Sequence, residues 1–271
     1  MRARGLVVLA AISAVGGCDY IAPPDLLTLD PDVISIAILL AAGERRAHML
    51  VGHPHRQPSA PPPRVTADLL GADWRAAFTP AEDRSGCRGG SADFPMICLQ
   101  AALPEPIRAE ATYKLEGKGP KGSFTGETVV PPAPLLLSPG DTVRVPDSVN
   151  AIRIPIRYRA SSEVGTLRPE MFATLSNSTG TEESGWVRVQ PWWLRVGGQT
   201  DTLSAVWHAT WKIRRGSLHL LGIGWNYTNF QRLDDPRFPW PNFGVKGEGV
   251  YGYFDGSAKS QSVRIVAEDG G

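Results

Sequence analysis

Residues 202–213 read TLSAVWHATWKI, and the fold class turns on their spacing. The odd positions are Leu203, Ala205, Trp207, Ala209, Trp211 and Ile213; the even ones are Thr202, Ser204, Val206, His208, Thr210 and Lys212. A period of two puts these sets on opposite faces of a strand, whereas a helix would scatter indoles and polar groups around its circumference. The next residues, RRGS at 214–217, read as a turn in which Gly216 is free to take a positive φ. LHLLGIGWNY at 218–227 then returns as the partner strand. Burying each large apolar side chain stabilises by roughly 1.5–3 kcal/mol, so this hairpin is expected to be the most stable part of its half of the chain.

The same alternation recurs outward from that stretch. In AIRIPIRYR (151–159), Ile152, Ile154, Ile156 and Tyr158 share one face, with Arg153, Arg157 and Arg159 on the other. Toward the amino end, VISIAILLAAG (33–43), RRAHMLVGHP (45–54), VTADLLG (65–71), WRAAFT (74–79) and FPMICLQAAL (94–103) are short apolar runs separated by turn residues. EATYKLEGKGPKGSFTGETVVPP (110–132) reads as a hairpin about GKGPKG. The 24 prolines and 29 glycines are spread through the chain, as frequent turns require. Proline-dense VVPPAPLLLSPGD (129–141) reads as a joint. The expectation is an all-β fold of two β-sandwich domains in tandem, immunoglobulin- or fibronectin-like, at 33–133 and 134–271. A short helix over 33–43 is the local alternative.

The first residues carry a different signal. Arg2 and Arg4 precede an uncharged run, Gly5 to Val15, followed by Gly16, Gly17 and Cys18. A basic start, a short apolar core and a small-residue site make a secretory signal. The apolar run would span about 16 Å as a helix, roughly half of a bilayer core, which is too short for a transmembrane segment. VGGC (15–18) resembles the bacterial lipobox, which implies a signal peptide at 1–17 and a mature chain beginning at Cys18, its sulfur carrying a diacylglycerol and its amino group a further acyl chain. Each buried methylene adds about 0.8 kcal/mol, and two or more chains hold where one does not. The expected home is therefore the bacterial cell envelope, anchored to the membrane by lipid. Asp19 favours inner-membrane retention only in some bacteria, so the sequence does not choose a leaflet. Residues 18–32, with Pro23, Pro24 and Pro31, form a short extended tether.

Charge is close to balance, with 28 Lys and Arg against 27 Asp and Glu, and the expected signal removes two of the arginines. Nothing in that balance points to nucleic acid as a partner. Cys87 and Cys98 are an even pair in an exported chain, which invites a disulfide; two buried free thiols are the alternative.

Motifs for chemistry are sparse. His48, His53 and His55 cluster, but Gly52 and Pro54 break a strand there and no carboxylate or cysteine lies near in sequence, so they read as solvated loop histidines and no metal site is assigned. The chain has no Gly-x-Ser-x-Gly, no HExxH and no phosphate-cradling loop; Ser184 and Ser217 sit in turn-like contexts. Asp234 and Asp235 read as a solvated acidic turn. No catalytic residue and no cofactor is implied, and the lead reading is a non-enzymatic binding module. Its rival is a hydrolase or carbohydrate-binding protein acting on envelope or external polymers, with carboxylates drawn from distant positions. Seven of the eight tryptophans fall between 186 and 240. Alternation sends Trp207 and Trp211 to the core. Adjacent Trp192 and Trp193 would face opposite sides of a strand, and with Trp240 they form the candidate ligand surface, where exposed indoles stack on sugar rings or anchor a protein partner.

The tail PNFGVKGEGVYGYFDGSAKSQSVRIVAE (241–268) resembles the closing segment of a bacterial envelope lipoprotein family of unknown function common in Bacteroidetes-type genomes. The matching positions are Asn242, Gly247, Gly249, Gly252 and Phe254; the family's Gly-Gly pair is Gly-Glu-Gly here. The resemblance implies a lipobox, an immunoglobulin-like amino-terminal domain, and an accessory role beside a TonB-dependent outer-membrane receptor. Strand glycines also have a structural reading, as bulges and close approaches under aromatic neighbours.

Overall fold

The computed structural model describes residues 32–53, 63–82, 87, 96–146, 151–208, 210–231 and 242–268. The first strands are β1 (Ile34–Ala41), β2 (Arg46–Gly52), β3 (Thr66–Leu70), β4 (Arg75–Ala77), β5 (Thr79–Pro80), β6 (Ile97–Ala102), β7 (Thr112–Gly119) and β8 (Gly122–Val129). They follow the apolar runs of the sequence closely. β1 alternates as the pattern demands: Ile34, Ile36, Ile38 and Leu40 are buried, while Ser35, Ala37, Leu39 and Ala41 are half-buried on the other face. The hairpin forms with strands that run deeper into GKGPKG than expected, leaving Pro120 and Lys121 as the connection.

The second run comprises β9 (Leu135–Ser138), β10 (Thr142–Pro146), β11 (Ala151–Arg159), β12 (Thr166–Asn177), β13 (Glu182–Gln190), β14 (Thr200–Val206) and β15 (Trp211–Ile223). A short helix, α1 (Trp225–Gln231), precedes β16 (Asn242–Phe243), β17 (Val245–Gly247), β18 (Val250–Lys259) and β19 (Val263–Glu268). In β11, Ile154, Ile156 and Tyr158 are buried and the arginines exposed, as the alternation requires.

The fold is all-β, with two sandwich cores. In the first, a five-stranded sheet, β17-β8-β7-β3-β4, packs on β5-β6-β2-β1-β18. In the second, β10-β19-β15-β12-β13 faces β14-β11-β9, and the two sets are joined where Arg188–Gln190 of β13 pair with β14. One continuous ladder links the cores, because β18 pairs in parallel with β1 along its length and with the end of β15 at Leu221–Ile223.

Two expectations change. Residues 202–213 are not one strand. They break between β14 and β15, where Trp207 Nε1 donates to the Trp211 carbonyl at 2.9 Å and His208 Nδ1 sits 2.8 Å from Thr210 Oγ1. RRGS is no turn either. Gly216 lies in the ladder opposite Ala173, and Arg214 is the extra residue of a bulge between Ile213 and Arg215. The expected partner strand at 218–227 is the continuation of β15 as far as Ile223, followed by α1, and in the sheet β12 and β13 lie between β14 and β15. The division at 133/134 also fails to separate the cores along the chain, since Val245, Val250 and Phe254 return to the first. Gly252 permits that return: its φ is +116°, and a Cβ there would lie 1.9 Å from the Ile36 carbonyl oxygen on β1.

Candidate functional site

The sequence signal for a site was the tryptophans, and the structure sorts them. Trp207 is buried, and Trp211 packs beside the second core. Trp192 and Trp193 do not lie on a strand. They follow β13 in the turn at 191–198, after a cis Gln190–Pro191 bond, and both are exposed, at 47% and 50%. Trp192 lies under the Arg188 guanidinium, 5.0 Å from its ring centroid. Trp193 lines a cleft of about 830 Å³ that the turn forms with α1. Trp240 lies outside the described residues, as do Cys18, His55, Asp234 and Asp235.

Both walls of this cleft are fixed from below. On the turn side, buried Leu194 anchors in the second core, and its N–H donates to the Leu167 carbonyl at 2.8 Å. The Tyr158 hydroxyl donates to the Arg195 carbonyl at 3.2 Å, and burial raises that phenol's pKa. On the helix side stands Trp225, 42% exposed, with its indole Nε1 donating to the Ser162 carbonyl at 2.9 Å. The buried Thr228 hydroxyl lies 2.8 Å from both the Gly224 carbonyl and Thr166 Oγ1, tying α1 to β12. Gly165, Thr166 and Leu167 also line the cleft. Among the described residues, the result is a hollow with two half-exposed indoles, hydroxyl-bearing residues along it and one cation, Arg195.

α1 itself hangs from a buried carboxylate. Asp255, 2% exposed, accepts the Tyr227 N–H at 2.7 Å and the Gly256 N–H at 2.8 Å, with Thr128 Oγ1 at 3.3 Å. Burial raises its pKa, and these donors work against that rise. Gly224 leaves room for the carboxylate, since a Cβ there would meet Asp255 Oδ1 at 2.1 Å. Asn226 Nδ2 adds a bond to the Phe254 carbonyl at 2.9 Å.

The opposite side of α1 borders a second hollow, a groove of about 720 Å³ over the outer faces of β1, β2 and β18. There Tyr227 and Phe230 pack on Tyr253, with ring centroids 5.2 and 5.0 Å apart. Trp186 of β13 also lines it, edge-on to Phe172 and to His219. Beneath Trp186, His219 Nε2 lies 3.0 Å from Glu170 Oε2, while Arg168 pairs with Glu170 Oε1. Burial alone would raise the Glu170 pKa; the bonds from His219 and Arg168 and the arginine's charge outweigh it and hold the carboxyl at about 2. His48 lies within β2 and so is no loop histidine, whereas His53 sits just past the end of β2, half-buried, with Nδ1 3.3 Å from the Val33 carbonyl. Cys87 and Cys98 form a disulfide, with Cα atoms 5.9 Å apart and Cys98 buried on β6.

The sequence pattern does not single out Tyr227 and Phe230, and it places Trp225 at the end of a strand rather than on a helix. The readable sign was Gly222 and Gly224 stopping the apolar run, followed by Tyr227 and Phe230 at a helical spacing of three.

No family model matches the chain, and no curated protein matches it. Among solved structures it is similar to the N-terminal Ig1-2 module of the Drosophila receptor protein tyrosine phosphatase DLAR, with 11% identity and a TM-score of 0.32 over 88% of this chain and 100% of that one. It is also similar to the D0-D1 domain of intimin, with 8% identity and a TM-score of 0.22 over 86% of this chain and 97% of that one. The Yersinia pseudotuberculosis adhesin InvE matches at 12% identity and a TM-score of 0.21, over 69% of this chain and 54% of that one.

Proposed function

We propose that the protein is a binding module of the bacterial cell envelope, moored to a membrane through lipid on Cys18, which holds a ligand rather than transforming it. The observation that carries the binding reading is the cleft between the 191–198 turn and α1. Trp193 and Trp225 keep half or nearly half of their surface open there, on walls pinned by Leu194, Tyr158 and Thr228. Rigid, pre-formed walls with exposed indoles lower the ordering cost of binding. Mooring rests on the basic start, the short apolar run and VGGC at 15–18. The Cys87–Cys98 bridge supports export to an oxidising compartment. The likeness of the 241–268 segment to the envelope lipoprotein family supports an accessory place beside a TonB-dependent outer-membrane receptor.

Membrane fractionation tests the mooring. The wild-type protein partitions into the detergent phase with an acylated amino-terminal cysteine, and Cys18→Ala releases it to the aqueous phase. Partition unchanged by Cys18→Ala overturns the anchor. Crosslinking on intact membranes tests the association: recovery of a receptor barrel supports it, and its absence removes the accessory role.

A further inference from the structure

We infer that the Trp193–Trp225 cleft binds the pyranose rings of a polysaccharide, and that it favours units bearing a carboxylate. A sugar ring has apolar C–H faces and hydroxyl edges, and the cleft offers the matching pair of surfaces. Trp193 and Trp225 both line it, and their half-exposed indoles offer apolar faces to a ring. Ser162, Thr166 and the Gln231 carboxamide supply polar groups along the same hollow. Its volume of about 830 Å³ exceeds what one ring fills and lies within the roughly 300–1,000 Å³ usual for ligand sites. The hydroxyl edges of a sugar can bond to such groups, which a purely apolar ligand cannot do.

Charge narrows the ligand further. Among the described residues lining the cleft, Arg195 is the single charged side chain, and no Asp or Glu shares the hollow with it. The guanidinium fork matches the geometry of a carboxylate, as a uronic acid presents it. One indole and the turn that carries the other are also held in place before any ligand arrives. Trp225 is fixed through its Nε1 bond to Ser162, and the turn that carries Trp193 is fixed at Leu194 and Arg195.

A sugar ligand presupposes the binding role proposed above but fails separately from it, because lipid mooring and receptor crosslinking are read without any sugar. The test titrates the full-length protein in detergent with tetragalacturonate, tetramannuronate, a hyaluronan tetrasaccharide and neutral cellotetraose, following heat and indole emission. At least one acidic probe is expected to bind and to shift the emission, at least tenfold more tightly than cellotetraose. Trp193→Ala and Trp225→Ala each weaken that binding tenfold or more, and Arg195→Gln removes the preference for acid. Trp192→Ala, outside the cleft, leaves affinity unchanged. Trp225→Phe keeps a ring in the wall and guards against misfolding of the alanine variant; it retains more affinity than Trp225→Ala. Silence toward all four probes overturns the proposal, as does wild-type affinity in the double Trp193→Ala, Trp225→Ala variant. Equal affinity for cellotetraose overturns the acidic preference.

Discussion

Replacing Glu170 by glutamine tests how the outer face of β12 is held. The carboxylate side chain is 14% exposed and takes Arg168 on one oxygen and His219 on the other. Its pKa falls from the ordinary 4.5 to about 2 on folding. At about 1.4 kcal/mol for each tenfold change, that difference corresponds to roughly 3 kcal/mol of stability at neutral pH. Arg168 is 36% exposed, so water screens part of its share and about 2 kcal/mol is the better expectation. Folding lowers this pKa, so the stabilisation is complete above the ordinary value and is lost as pH falls toward about 2. Urea unfolding of wild type and Glu170→Gln between pH 7 and pH 2.5 reads it directly, because every other carboxyl titrates in both. The gap between the two proteins should be widest near neutrality and shrink through the acid range. A gap that stays constant with pH would refute the assignment of this carboxylate as an ionised, charge-held group.

Cys87→Ser with Cys98→Ser should cost about 3 kcal/mol, the loop entropy of a bridge closing a sequence separation of 11, read as a lower urea midpoint. Gly252→Ala should destabilise by about 3 kcal/mol or more, since it combines a φ of +116° with a clash against the Ile36 carbonyl; near-wild-type melting would contradict the β1–β18 register. Asp255→Ala should leave the Tyr227 and Gly256 amides unsatisfied at about 1–3 kcal/mol, with hydrogen exchange rising over 225–231 before the rest of the chain; protection unchanged there would exclude the carboxylate as the helix's support.

Much of this architecture could be read from spacing alone, and the reasons for the exceptions are physical. β1, β7, β8 and β11 each have one face in a core and one outside it, so burial writes itself into alternate residues. The same rule misled at 202–213. Alternation counts faces, not direction, and Leu203, Ala205, Trp207 and Ile213 all end up buried although the chain changes course between them. The bulge at Arg214 and the glycine in the ladder at 216 looked like turn chemistry because both devices use small or unpaired residues. The parallel pairing of Ile34–Ala41 with Val250–Ser257 joins segments from opposite ends of the sequence, and no local pattern announces a partner so far away. At the cleft, Trp193 was visible as an unexplained indole. Trp225 belongs to the same cluster of tryptophans, but an apolar strand runs up to Ile223 and masks the helix that starts two residues later.

That distant pairing sets the timetable of folding. Val250 and Phe254 fill the first core, and β18 lies against β1 along all of its length. During synthesis, β1 must wait, with Ile34, Ile36 and Ile38 missing a neighbouring strand, until Val250–Ser257 have emerged. Losing β18 would therefore be felt at the opposite end of the polypeptide, in β1, and not only beside β15.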